Sequence, residues 1–305
     1  MRLAKLLIVA ALALGSCAPA ATPARAAPMS FTNLLNRPRP TPDRKIAYGP
    51  APQEFGQLWL PKGGGARKVV VLIHGGCWLA SLPGLELMAY AADDLRARGF
   101  AVWNIEYRRL GEGGGGYPGT FLDAGAAVDA LRTMAGRYNL DLRHVVLVGH
   151  SAGGQLALWA AARHRIDKSS PLYAAHPLPV AGVVSLAGID DLSIYKRVGP
   201  EACGGPATID ELVGADRRAI ATIFADTSPA ALVPIGTPQT IVSGDLDLIV
   251  PAIFGKAYAA KAVAAGDPVR TLTIPGAGHF ELIDPQSEAW QTIEPAIAAM
   301  VKQGS

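Results

Sequence analysis

The sequence predicts an α/β fold: a mostly parallel central sheet with helices on both faces and a small cap-like insertion. Three observations lead there. Short apolar runs rich in β-branched residues alternate with longer segments of helical period. Several of those runs, VVVLI and HVVLV among them, are apolar at successive positions, as strands covered on both faces must be. Half of the 305 residues are hydrophobic against 17% charged, enough to bury a large core. The formal charge of +3 comes from 28 basic and 25 acidic residues spread without a long run of one sign, so nucleic acid is not an expected partner.

Along the chain, residues 1–27 read as an export signal. MRLAK is a basic start and LLIVAALALG an apolar stretch too short to span a bilayer comfortably. Two processing sites compete: Leu14-Gly15-Ser16-Cys17 has the form of a lipobox, which would attach Cys17 to the membrane through lipid. Ala24-Arg25-Ala26 offers ordinary cleavage before Ala27. Both lead to an exported protein, periplasmic or lipid-anchored to the bacterial envelope. Residues 28–50, rich in Pro, Arg and Thr, read as a tether, leaving 51–305 as the folded domain. Strands are expected at 54–60, 68–74, 101–105, 144–148, 180–186, 239–242 and 270–274, and helices at 85–98, 120–138, 151–163, 253–265 and 288–302.

Two breaks interrupt this rhythm. GEGGGG at 111–116 reads as a mobile loop; it lacks the Gly-Lys-Ser/Thr ending of a phosphate-binding loop. Residues 189–232, with turns at Gly199-Pro200 and Gly204-Gly205-Pro206, read as a small cap. Beyond Cys17 there are two cysteines, Cys77 and Cys203. An exported chain could pair them, but one this long does not need a staple, so they are expected to stay unpaired. No Cys/His cluster has metal-ligand spacing, and neither a metal nor an organic cofactor is implied.

The strongest chemical signal is HVVLVGHSAGGQLALWAA. An apolar strand ends at Gly149, and Gly149-His150-Ser151-Ala152-Gly153 has the G-x-S-x-G form immediately before a helix. A serine at the tip of such a turn sits in a strained backbone, and side chains two residues before or after it would collide with neighbouring elements. Ser151 is therefore the candidate nucleophile. It needs a base to take its proton and an acid to orient that base, both later in the chain. His164 lies at the far end of the helix, and His176 precedes a strand, at the opposite sheet edge. His279, in the Gly-rich turn after an apolar strand, lies at the ligand-binding edge and is the expected base. GDLDLIVP offers Asp245 and Asp247 as acids.

A tetrahedral intermediate needs backbone N–H donors aimed at its oxyanion. One comes from the residue after the nucleophile, Ala152, and the others from a glycine-bearing loop after an earlier strand. HGGCW, residues 74–78, is that loop. Its Trp78, with His150, is a candidate for lining the substrate pocket. His74 is expected to hold the loop by hydrogen bonding, and EYRR at 106–109 to brace it by ion pairing.

Taken together over about residues 45–303, HGGCW, GHSAGG, GDLDLIVP and GAGHF resemble the α/β-hydrolase superfamily on its esterase and lipase side. The HGGxW form is similar to the kynurenine formamidase (arylformamidase) branch and to bacterial feruloyl-esterase-like hydrolases. That resemblance implies Asp247 as the acid and the N–H groups of Gly76, Cys77 and Ala152 as oxyanion donors. It implies cleavage of a small-molecule carboxylic ester through an acyl-enzyme. Two other functions share these residues: an arylformamidase-type amide hydrolase, against which export argues, and a non-catalytic binding module, against which the complete Ser, Asp, His set argues.

Overall fold

The computed structural model describes residues 27–303. The expected export signal, apart from its last residue Ala27, and Cys17 lie outside the described residues. Within them one sheet is built from β1 (Arg44–Ala47), β2 (Phe55–Trp59), β3 (Arg67–Ile73), β4 (Ala101–Ile105), β5 (Leu140–His150), β6 (Gly182–Leu186), β7 (Gln239–Gly244) and β8 (Val269–Ile274). Their spatial order is β1-β2-β4-β3-β5-β6-β7-β8. The β1–β2 and β2–β4 pairs are antiparallel and all others are parallel. Every residue of β4, β6 and β7 is buried, as expected of strands covered on both faces, and the few polar side chains they carry, such as Asn104 and Ser185, are hydrogen-bonded inside.

The helices are α1 (Phe31–Leu35), α2 (Ala89–Ala97), α3 (Gly119–Asp129), α4 (Leu131–Tyr138), α5 (Ala152–Ala161), α6 (Leu192–Val198), α7 (Gly205–Val213), α8 (Pro229–Leu232), α9 (Ala252–Ala264) and α10 (Trp290–Gln303). α5 and α10 both pack on β3, β5 and β6, from opposite faces. α5 is buried along its whole length, so it is apolar all round instead of amphipathic. The expected helix 120–138 is two helices, broken at Ala130. The segment 189–232 carries α6, α7 and α8.

Strand order reverses at β3, which lies between β4 and β5, and at such a point the loops following the strands diverge to leave a crevice. The β3–β5 register sets Ile73 beside Gly149. The loop 74–78 therefore starts next to the turn that carries Ser151. On the other side of β6, the β7–β8 register sets Gly244 beside Ile274, so the segments bearing Asp247 and His279 leave the sheet together.

Three expectations need correction. Residues 28–50 are folded onto the domain and do not form a tether. α1 buries Leu34 completely, Arg37 pairs with Asp284 at 2.8 Å, and β1 adds to the sheet edge. Among residues 28–34 only Leu34 is a buried apolar group, so composition conceals the helix. GEGGGG, expected as a mobile loop, forms a defined turn: Glu112 accepts the Arg109 N–H at 2.7 Å. A Cβ on Gly115 would meet the Arg109 carbonyl oxygen at 1.9 Å, so glycine is there for close approach. Finally, Cys77 and Cys203 form a disulfide across 126 residues of sequence. Chain length is the wrong criterion for its need, because the bond joins two irregular segments, the loop after β3 and the cap, whose backbones share no sheet. Replacing both cysteines by serine is expected to lower the unfolding free energy by about 2–4 kcal/mol, read as a lower denaturant midpoint that matches wild type under reducing conditions.

Candidate functional site

Ser151 terminates β5 with φ 57° and ψ −121°, a conformation that costs a non-glycine residue on the order of 1–3 kcal/mol. The surroundings enforce it. The Ser151 N–H donates to the Leu186 carbonyl on β6 at 2.9 Å. Gly149 and Gly153 are needed on either side, since a Cβ on Gly149 would lie 1.9 Å from the Gly153 oxygen and one on Gly153 2.1 Å from the Ile73 oxygen.

Asp247 and His279 meet as their register predicts. Asp247 Oδ2 accepts from His279 Nδ1 at 2.7 Å, while its Oδ1 accepts the N–H groups of Ile249 and Val250 at 2.8 and 2.9 Å. The carboxylate is thus held at both oxygens, with 4% of the residue exposed. Asp245 is exposed and its Oδ1 accepts the Gly276 N–H at 2.7 Å, which makes it a turn brace. His279, Ser151, His150, Gly76 and Cys77 line one cavity of about 140 Å³. Larger clefts, such as one of about 770 Å³ beside Arg37 and Asp284, contain no nucleophile paired with a base. His164 and His176 are exposed and away from the cavity.

His150 lines this cavity as expected. Burial, reinforced by the adjacent His279, holds its pKa well below the ordinary histidine value. Its Nε2 faces the His279 carbonyl oxygen at 3.1 Å, so the neutral ring carries its proton there and ties the turn that bears His279. Trp78 does not line the cavity. It is fully buried, and its Nε1 donates to Gln155 Oε1 at 3.2 Å.

In the loop after β3, Gly76, Cys77 and Trp78 all have positive φ, so three successive residues adopt a backbone that side chains disfavour. Among the described residues, the N–H groups of Gly76 and Cys77 have no acceptor; Ala152 is the first residue of α5, where N–H groups lack intrahelical partners. The loop is braced from below. His74 Nε2 meets Glu106 Oε1 at 2.7 Å, its Nδ1 meets the Gly75 oxygen at 2.7 Å, and its ring stacks on Tyr107 with centroids 4.3 Å apart. Burial alone would raise the Glu106 pKa, but the contact with His74, aided by Arg109 and the Tyr107 N–H, brings it down to about 2.

Sequence reasoning missed two residues of this assembly. Gln155 ties three parts together: it accepts from Trp78 and donates to the Thr227 carbonyl in the cap at 2.8 Å. Its signal was a lone amide in an otherwise apolar helix. Asp190, after β6, accepts from Ser185 Oγ at 2.8 Å beneath the first turn of α5. Burial is the main reason its pKa is raised to about 7.

These observations place the chain among known proteins. The BD-FAE family model matches residues 57–261. The chain belongs to the BD-FAE family, an α/β-hydrolase esterase family. No curated protein matches it. Its fold is similar to esterase B from Lactobacillus Rhamnosis, with TM-score 0.73 and 21% identity over 90% of this chain and 91% of that one. It is also similar to Thermogutta terrifontis esterase 2 phosphonylated by sarin, at TM-score 0.70 and 19% identity, covering 86% and 95%. A bifunctional GH43-CE protein of Bacteroides eggerthii matches 85% of this chain at 23% identity and TM-score 0.70, but the match spans only 38% of that longer protein. This BD-FAE protein is an esterase-like α/β-hydrolase.

Asp190 makes a testable demand on stability. The folded state holds a proton that the unfolded chain, with an ordinary aspartate pKa near 4, releases. Stability from this group is therefore complete below about pH 4 and lost as pH rises towards 7. In Asp190→Asn this loss should vanish: the difference in unfolding free energy between variant and wild type is expected to grow in the variant's favour from about pH 4 to 7 and then level off, as measured by urea titration across that range.

Proposed function

We propose that this protein is an exported serine esterase that hydrolyses small carboxylic esters with short acyl groups. The observation that carries the reading is the Asp247–His279 pair at 2.7 Å, with its histidine opening on the cavity that Ser151 enters from a strained turn. Ser151 Oγ attacks the ester carbonyl carbon while His279 takes its proton; the bond to the alcohol oxygen then breaks and that oxygen receives the proton. Water repeats the sequence on the acyl-enzyme, freeing the acid and Ser151. Asp247, acceptor to Nδ1, keeps the other ring nitrogen directed at the reaction and favours the imidazolium that forms. Gly76, Cys77 and Ala152 supply N–H groups to the oxyanion.

Cavity size supports a short acyl group. The acyl group shares a cavity of only about 140 Å³ with Ser151, His279 and the border of the alcohol half, which leaves room for a short chain. Export is supported by the basic, apolar and small-residue order of 1–27, and a disulfide suits an oxidising compartment.

A fluorophosphonate probe is expected to label wild-type protein at Ser151 and to leave Ser151→Ala unlabelled, with hydrolysis in that variant reduced by at least about 10³-fold. Side by side, p-nitrophenyl acetate should be turned over faster than a feruloyl ester and than N-formyl-kynurenine. No labelling of folded protein would overturn the enzyme reading; a formyl amide preferred over every ester would overturn the substrate class. Gly76→Val tests the loop separately. A side chain there meets positive φ of 98° and the Pro83 oxygen at 2.6 Å, so kcat should fall by about 10²-fold or more with a small change in KM.

A further inference from the structure

One wall of the cavity comes from the segment that composition makes look like a spacer. Phe31, the first residue of α1, lines it together with Phe280. The two rings meet edge-on with centroids 6.0 Å apart at 71°. Phe280 in turn stands edge-on to His279, 5.1 Å away at 87°. Phe31 is 37% exposed, so it sits on the rim, with part of the ring towards the cavity and part towards solvent.

This rim position is fixed. Ser30 and Asn33 cap the helix reciprocally, Ser30 Oγ accepting the Asn33 N–H at 3.3 Å and Asn33 Oδ1 accepting the Ser30 N–H at 2.9 Å. The Met29 N–H donates to Glu281 Oε1 at 2.5 Å, and Arg37 holds Asp284. Both carboxylates follow His279 in the chain. α1 is therefore fastened to the segment that carries the base, and Phe31 moves with it.

The direction matters chemically. His279 hands its proton to the departing alcohol oxygen, so the groups packed beside His279 border the alcohol half of the ester. A partly exposed pair of aromatic rings at that border offers a face and an edge to a second ring. We propose that Phe31, with Phe280, forms an aromatic lip that binds the alcohol portion of the substrate and selects esters of aromatic alcohols over those of small aliphatic ones. Phe31 is thereby a specificity-determining residue contributed by the N-terminal segment. The proposal rests on the serine-esterase reading above.

The acyl-enzyme mechanism supplies a readout that a merely structural role would not give. Benzyl acetate and ethyl acetate both leave the same acetyl group on Ser151, so the alcohol has departed before the second step. Phe31→Ala should lower kcat/KM for benzyl acetate by about three- to tenfold and change that for ethyl acetate by less than about twofold. Decay of the acetyl-enzyme, followed as acetate release after the burst of alcohol, should be unchanged. Phe31→Trp should keep or raise the preference for benzyl acetate, and it carries the test alone if the alanine variant is unfolded by thermal melting. Equal losses on both esters, an altered decay rate, or a tryptophan variant that loses the preference would overturn the proposal. If Phe31 variants fail this pattern while wild type is labelled at Ser151 by fluorophosphonate, only the lip is wrong. If wild type is not labelled, the esterase reading falls and takes the lip with it.

Discussion

The site depends on one close approach, that of α5 to the carboxyl end of β3. Gly153 lies against this strand end so tightly that a Cβ would be 2.1 Å from the Ile73 oxygen and 2.4 Å from the His74 oxygen. Because β3 and β5 are sheet neighbours, pressing the helix that follows β5 onto the end of β3 leaves the intervening turn little room, and Ser151 takes the strained conformation as a result. The same contact brings the N-terminus of α5 to the loop 74–78. Ser151 and the loop 74–78, the proposed nucleophile and backbone donors, are therefore positioned by one packing event, and strain in the turn is offset by strand pairing and by burial of the whole of α5.

What surrounds that contact is a set of polar braces, each buried and each tied at both ends. Glu106 fixes His74, Gln155 fixes Trp78 to the cap, Asp247 fixes His279, and the disulfide fixes Cys77 to the cap at Cys203. Their common feature is that the moving part would be backbone. Loop 74–78 has no regular hydrogen-bond ladder of its own, so its left-handed conformation must be imposed by neighbours. A buried polar group left unpaired costs about 1–3 kcal/mol, which makes each brace nearly all-or-none and keeps the N–H groups aimed without the need for substrate. Asp190 and His150 depart from this: one carboxylate oxygen of the first and Nδ1 of the second are buried without a partner, and Asp190 responds by holding its proton while burial keeps His150 neutral.

The parts legible in the sequence are those whose chemistry is local. The strand-turn-helix at Ser151 needs glycines at fixed offsets, and the buried strands need continuous apolar runs, so both declare themselves. His279 was reachable because topology puts turns after parallel strands at one edge. Asp245 and Asp247 stood equal as bare residues, the family resemblance favoured Asp247, and the fold separates them physically: Asp245 braces a turn and Asp247 meets His279. β1, with the pattern RKIA and three of its four residues exposed, is an edge strand held by backbone pairing, which leaves no hydrophobic pattern to read. Trp78, read as a pocket residue, is drawn into the core by Gln155, a contact 77 positions away. The pairing of Cys77 with Cys203 is equally invisible, because nothing local announces which two irregular segments will touch.

The same division separates reaction from selectivity. The groups that would do chemistry lie at the ends of β3, β5, β7 and β8, on strands whose order is set by the sheet. The groups that shape the cavity come from segments with little regular structure: Phe31 from the N-terminal segment, Ala202 from the cap, Leu82 and Pro83 from the turn after the loop. Such segments have weak patterns of their own and are held by a few specific anchors, so they tolerate changes in shape that the sheet would not. Fastening α1 through Glu281 and Asp284 to the chain just past His279 keeps one of these variable walls in register with that histidine. Selectivity can then be altered by exchanging a rim side chain, without disturbing the contact between Gly153 and β3 on which the reaction geometry rests.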